Sequence, residues 1–171
     1  PKNASIINYD PRTPAKLQLG IGVNVGIGTT EAPSQLTVNG TVLFSGTTGD
    51  TPVSGAGTRL MWIPSKAAFR AGITDDTRWN DENIGKYSIA IGRYTWATAE
   101  ASAAFGNSTL ALGKYSFAIG NSTVATGEGS IATGSSTKAY GNYSVVIGSQ
   151  SQALGEGSVV IGKYTSNEVN Y

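Results

Sequence analysis

Between residues 85 and 168 the apolar and polar positions of the chain recur every fourteen residues. The six units read GKYSIAIGRYTWAT, AEASAAFGNSTLAL, GKYSFAIGNSTVAT, GEGSIATGSSTKAY, GNYSVVIGSQSQAL and GEGSVVIGKYTSNE. Ser holds the fourth position every time (Ser88, Ser102, Ser116, Ser130, Ser144, Ser158), and Gly the eighth (Gly92, Gly106, Gly120, Gly134, Gly148, Gly162). A fixed period of this kind predicts a stacked, solenoid-like array in which each unit buries apolar surface only against its neighbours. Fourteen residues suffice for two short strands and two turns, with Gly at positions one and eight expected to mark the turns. Stacking at about 4.8 Å per coil then gives roughly 29 Å of fibre for six coils.

Strand side chains alternate between faces. In the first strand of each unit, positions four and six are Ser and Ala or Val, while five and seven are mainly Ile, Phe or Val. Neither column is charged, and a strand without a polar face is buried on both sides. One column packs inside the coil; the other needs a cover that the rest of the chain is too small to supply. Another copy of the protein is the expected cover, and three copies around an axis satisfy it. In the second strand, positions eleven and thirteen are Thr or Ser and Ala, with Asn167 the exception, and are expected to fill a narrow lumen. Positions ten, twelve and fourteen vary freely and form an outward flank, including Tyr94, Trp96 and Thr98. Position three alternates large and small (Tyr87, Ala101, Tyr115, Gly129, Tyr143, Gly157), which predicts a ladder with each Tyr over a small neighbour.

Ahead of the array the pattern is less regular. Residues 1–20 are polar, carry three prolines and read as an extended lead-in. Residues 21–57 hold short β-type runs and then a Gly/Thr/Ser linker expected to be a mobile loop; Asn39-Gly40 between LTV and TVLF predicts a hairpin. Residues 58–84 read as a cap or plug. There Pro64-Ser65 before KAAFRA and Gly72 after it bracket either a short helix or a strand pair split by the Pro, and Leu60, Met61, Trp62, Ile63 and Phe69 are expected to cover the open end of the array. Asp75, Asp76, Asn80, Asp81, Glu82 and Asn83 form an oxygen-rich stretch without the spacing of a calcium loop, so a solvated turn is expected. Residues 169–171 are a tail.

Composition narrows the function. A net charge of +1 without a Lys/Arg cluster gives no electrostatic case for nucleic acid. No apolar run reaches the length of a membrane span, so no membrane contact is expected of this fragment. The opening PKNAS carries no signal segment and suggests a piece of a longer protein or a mature form. With no His and no Cys, acid/base chemistry would fall to Asp/Glu pairs, whose close members lie in the 75–82 stretch; no enzyme, catalytic residue, metal or cofactor is expected. The Thr column (Thr95, Thr109, Thr123, Thr137, Thr165) has the spacing of an ice-binding face, but its Ala partners predict that it points inward.

The unit G-x-Y-S-x-A-I-G-x-x-(S/T)-x-A-x is similar to the head repeat of trimeric autotransporter adhesins, the YadA-like head. The resemblance covers about half of the chain. It implies an all-β fold, a left-handed parallel β-roll of 14-residue coils, assembled as a homotrimer at the tip of an extracellular cell-surface fibre. Such heads attach cells to matrix, host cells or other bacteria. VGIGTTEAPSQLTVNG (Val25–Gly40) resembles a β-element of phage tail fibres and bacterial surface fibres, which leaves a receptor-binding fibre as the alternative. The family supplies no universal binding residues. Flat aromatic faces stack on sugars, so Trp96, Tyr94, Trp79 and Tyr164 are the candidate contacts for a surface glycan or protein ligand, with packing between subunits as the competing role.

Overall fold

The computed structural model describes residues 25–27, 34 and 36–167. The chain divides between Phe44 and Ser45 into two units. In the first, β1 (Val25–Ile27) pairs in parallel with β2 (Leu36–Val38). The hairpin expected at Asn39-Gly40 does not form: β2 ends there, Gly40 takes a φ of 151°, and the residues leading to Gly46 form no strand. A tight turn can only join antiparallel neighbours, and β2 has taken a parallel partner instead. The lead-in at 1–20 and the tail lie outside the described residues.

The second unit is a β-solenoid. Its six coils contribute β5 (Ile89–Arg93), β7 (Ala103–Asn107), β9 (Phe117–Asn121), β11 (Ile131–Ser135), β13 (Val145–Ser149) and β15 (Val159–Lys163) to one parallel sheet. The second strands form a parallel sheet of their own: β6 (Trp96–Ala97), β8 (Leu110–Ala111), β10 (Val124–Ala125), β12 (Lys138–Ala139), β14 (Gln152–Ala153) and β16 (Ser166–Asn167). Every pairing links residues fourteen apart, as the period predicts: Ile89 with Ala103, Trp96 with Leu110, Val145 with Val159. The described residues contain no α-helix, only 3₁₀ turns at Pro64–Lys66 and Asp81–Asn83, and no helix able to cross a membrane.

The lumen is narrow because its fillers are small. Position six supplies Ala90, Ala104, Ala118, Ala132, Val146 and Val160; position thirteen supplies Ala97, Ala111, Ala125, Ala139 and Ala153; all are buried. Thr95, Thr109, Thr123, Thr137 and Ser151 are buried between them, so the hydroxyl column does point inward. Four of the six serines of position four lock the turn. Ser88, Ser102, Ser144 and Ser158 donate through Oγ to the carbonyl three residues back at 2.6–2.7 Å, closing the corner that begins at position one.

Gly at position eight has a different job from the one the pattern suggests. It lies inside the first strand rather than in a turn, with φ between 118° and 140°. A Cβ on Gly120 would stand 1.9 Å from the carbonyl oxygen of Gly134 in the next coil, and the same collision recurs down the column. The corners themselves run through positions three and ten, where φ is 51–65° and 53–57° in all six coils. Most of these corner residues carry side chains, so glycine spacing did not mark them.

At the amino-terminal end the residues from 57 to 74 resolve as the strand pair. β3 (Gly57–Ile63) and β4 (Ala68–Thr74) are antiparallel, joined by the 3₁₀ turn at Pro64 and by Ala67 at φ 46°. β4 then pairs in parallel with β5, Gly72 opposite Gly92, so the hairpin extends the solenoid sheet to eight strands. Met61 and Ile63 are buried with Ala68, Trp79 and Ile84, whereas Leu60 and Trp62 project outward, because neighbours in a strand face opposite ways. Residues 47–56 of the linker form no strand, and Gly57 opens β3, yet the linker is tethered: Thr51 Oγ1 donates to Asp81 Oδ1 at 2.8 Å and Gly55 N to Asn80 Oδ1 at 2.7 Å.

Candidate functional site

The outer face of the eight-stranded sheet carries two apolar columns in strict register. One runs Trp62, Phe69, Ile89, Ala103, Phe117, Ile131, Val145, Val159; the other runs Leu60, Ala71, Ile91, Phe105, Ile119, Thr133, Ile147, Ile161. All are half-buried or exposed, from the exposed Leu60 at one end to Ile161 at the other. Eight strands at about 4.8 Å make this stripe roughly 38 Å long. Isolated apolar residues on a surface mean little, whereas a contiguous stripe of this length marks an interaction face.

The second feature is the mouth of the lumen. Arg70 occupies the lumen column opposite Ala90, where the coils hold Ala or Val, and it is fully buried. Its guanidinium donates to the carbonyls of Phe69 (2.8 Å), Ser88 (3.1 Å) and Ala97 (2.9 Å) and to Ser88 Oγ (2.8 Å). Burial pushes its pKa down to about 10, which still leaves it charged at neutral pH. Trp79 is also fully buried, packed with Met61, Ile63, Ala68 and Ile84, with Nε1 donating to the Thr95 carbonyl at 2.9 Å. This corrects its reading as a glycan contact. The ring closes the solenoid end where a second strand would otherwise sit, and no face of it is open to a sugar.

The acidic stretch is consumed by local pairing. Arg78 Nη1 lies 3.0 Å from both Asp75 and Asp76, and Lys66 Nζ lies 3.0 Å from Asp81 Oδ2. Hydrogen bonds from the Thr51 hydroxyl and then from Lys66 hold the Asp81 carboxyl below its usual range. Among the described residues no acidic group has the arrangement of a metal site.

The remaining aromatic candidates sit on the flank as one pair and one single ring. Tyr94 and Trp96 are half-buried beneath Arg78, whose Cζ is 5.7 Å from each ring, and Arg93 covers Tyr94 at 4.5 Å. Tyr164 is exposed, with Lys163 Nζ 4.7 Å from its ring. Five coil steps separate the pair from Tyr164, about 24 Å. Between them position ten is polar (Ser108, Ser122, Ser136, Gln150), while positions twelve and fourteen carry larger side chains such as Leu110, Lys138, Tyr140 and Leu154.

Sequence reasoning missed the coil that precedes the first repeat. Phe69, Arg70, Ala71 and Gly72 occupy the places of Ile89, Ala90, Ile91 and Gly92. The signal was an apolar, small, Gly run, hidden by an arginine in the lumen column and by a spacing of twenty residues instead of fourteen.

The fold and its surfaces define a repeat protein that presents faces rather than a cavity. Residues 84–109, 111–137 and 139–165 match the family model of the YadA head domain repeat (2 copies). The solenoid across residues 84–165 is thus built of YadA head repeats. No curated protein and no solved structure matches the chain.

Proposed function

We propose that this chain is the adhesive head of a homotrimeric, extracellular surface fibre, binding a glycan or protein on another cell or on matrix. The observation that carries it is the apolar stripe on the outer face of a solenoid made of YadA head repeats. Three such stripes meeting around an axis remove that surface from water, at roughly 25 cal/mol per Å² buried. What stays outside is the flank with Tyr94, Trp96 and Tyr164, and these are the proposed ligand contacts. The left hand of the β-roll belongs to the same proposal. So does the absence of catalysis: among the described residues the acidic groups are engaged in ion pairs or face solvent singly.

The fibre-like segment at Val25–Gly40, with its small parallel β1–β2 pair, supports the alternative of a phage-type receptor-binding fibre. Both readings need a trimer with an adhesive flank. Fluorescent beads coated with the protein should adhere to a panel of bacterial and animal cell surfaces, and Trp96→Ala should weaken that adhesion. Beads that adhere to no cell or matrix component at any density contradict the proposal.

A further inference from the structure

One regular feature lies outside the apolar stripe and the flank. Tyr87, Tyr115 and Tyr143 stand at the position-three corner of alternate coils and are 62%, 55% and 57% exposed. Aromatic rings normally bury most of their area, so three left open in a row call for a reason. Their backbones are all left-handed, with φ of 60°, 58° and 56°, so the three Cα–Cβ bonds leave equivalent corners. Between them come small residues with the same backbone, Ala101 (φ 51°) and Gly129 (φ 62°). The Tyr143 ring lies against Gly129, where an added Cβ would meet its Cδ1 at 2.8 Å. Each step from Tyr to Tyr spans two coils, about 9.6 Å.

The charges beside the ladder alternate in sign along position two: Lys86, Glu100, Lys114, Glu128, then Asn142 and Glu156. Lys114 Nζ pairs with Glu100 at 3.1 Å, and Tyr143 Oη donates to Glu128 Oε1 at 3.2 Å. No run of one sign lies along the ladder to select a polyanion or polycation. At its amino-terminal end the ladder opens into a shallow cleft lined by Gly46, Thr47, Pro64, Ala67, Lys86 and Tyr87.

We infer that this ladder binds a neutral, extended β-1,4-linked polysaccharide along the fibre axis. In such a chain successive rings are flipped, so every second ring presents the same face, and the disaccharide repeat is close to the two-coil step. Alternate sugars then stack on Tyr87, Tyr115 and Tyr143, and the intervening ones bridge the two-coil steps between those rings. The cleft beside Tyr87 receives the end of the chain. This inference rests on the reading of the solenoid as an adhesive head and names a ligand class for it.

The test is titration of the assembled protein with cello- and chito-oligosaccharides of two, four and six rings, followed by calorimetry. Affinity should rise roughly three- to tenfold with each disaccharide, as each added repeat reaches one more ring. Tyr115→Ala should abolish that gain while Tyr115→Phe retains it. The substitution is compatible with the fold because Ala101 already holds the same corner backbone. Affinity independent of length, no binding of either series, or binding unchanged in Tyr115→Ala overturns the inference. Bead adhesion separates it from the broader proposal. Adhesion that survives replacement of all three tyrosines by Ala removes the ladder and leaves the adhesive head. Oligosaccharide binding by a protein whose beads adhere to nothing removes the head function and leaves the ladder.

Discussion

The tightest constraint on this chain acts at single glycines. At position eight the carbonyl of the next coil stands where a side chain would begin, at 1.8–2.1 Å down the repeats from Gly92 to Gly148. Since that neighbour is backbone, it cannot swing aside. Gly120→Ala should therefore cost at least about 3 kcal/mol, from strain and overpacking together, and shift the urea unfolding midpoint accordingly. Gly157→Ala is the control, with φ 65° but open space around the added carbon. Its cost should be about 1 kcal/mol or less, the left-handed penalty being partly offset by a stiffer unfolded chain. Arg70 is the other singular residue. Arg70→Ala removes four hydrogen bonds and leaves a void at the lumen mouth, and should lower stability by about 2–4 kcal/mol in the same assay. Arg70→Met should cost less, since it fills the space and sheds a buried charge.

At the scale of elements, legibility in the sequence followed the strictness of the repeat. The fourteen-residue period, the inward Thr and Ala of the second strand and the two opposed uncharged columns of the first were readable, because alternation along a strand leaves a pattern in residue type; which first-strand column faces the lumen was not. The corner backbones were not. Tyr, Ser, Gln, Ala and Gly all hold left-handed φ at positions three and ten, so residue type carries no mark of it. Nor was the added coil at β4, where a single Arg breaks the column and the loop to the first repeat is longer. Trp79 shows the limit for sites: a Trp in a polar stretch reads as exposed until the fold folds it inward over Thr95. That loop also has a predictable pH response. The Asp81 carboxyl titrates below its unfolded value, so its contribution is full above the ordinary carboxylate range and is lost as pH falls through the depressed value. Acidification should first speed hydrogen exchange at the Thr51 amide, which bonds Asp81 Oδ1 at 3.3 Å, while amides in β9 and β11 stay protected. Simultaneous loss of protection in loop and coils would contradict this order.

For the whole molecule the governing quantity is the uncovered apolar stripe from Leu60 and Trp62 to Val159 and Ile161. A chain that kept it in water would expose large aliphatic and aromatic groups along eight consecutive strands. Assembly around that face explains at once why both columns of the first strand are apolar and why the binding candidates lie on the other side of the coil. A charge placed in the stripe should separate the copies without disturbing the lumen: Ile119→Lys faces outward, and its neighbour Ala118 stays buried. The most direct measurement is sedimentation equilibrium of the intact chain at micromolar concentration. The account predicts a single species of three times the chain mass, reduced to one in Ile119→Lys with its β-type circular dichroism retained. A folded monomer of the unmodified chain would contradict it.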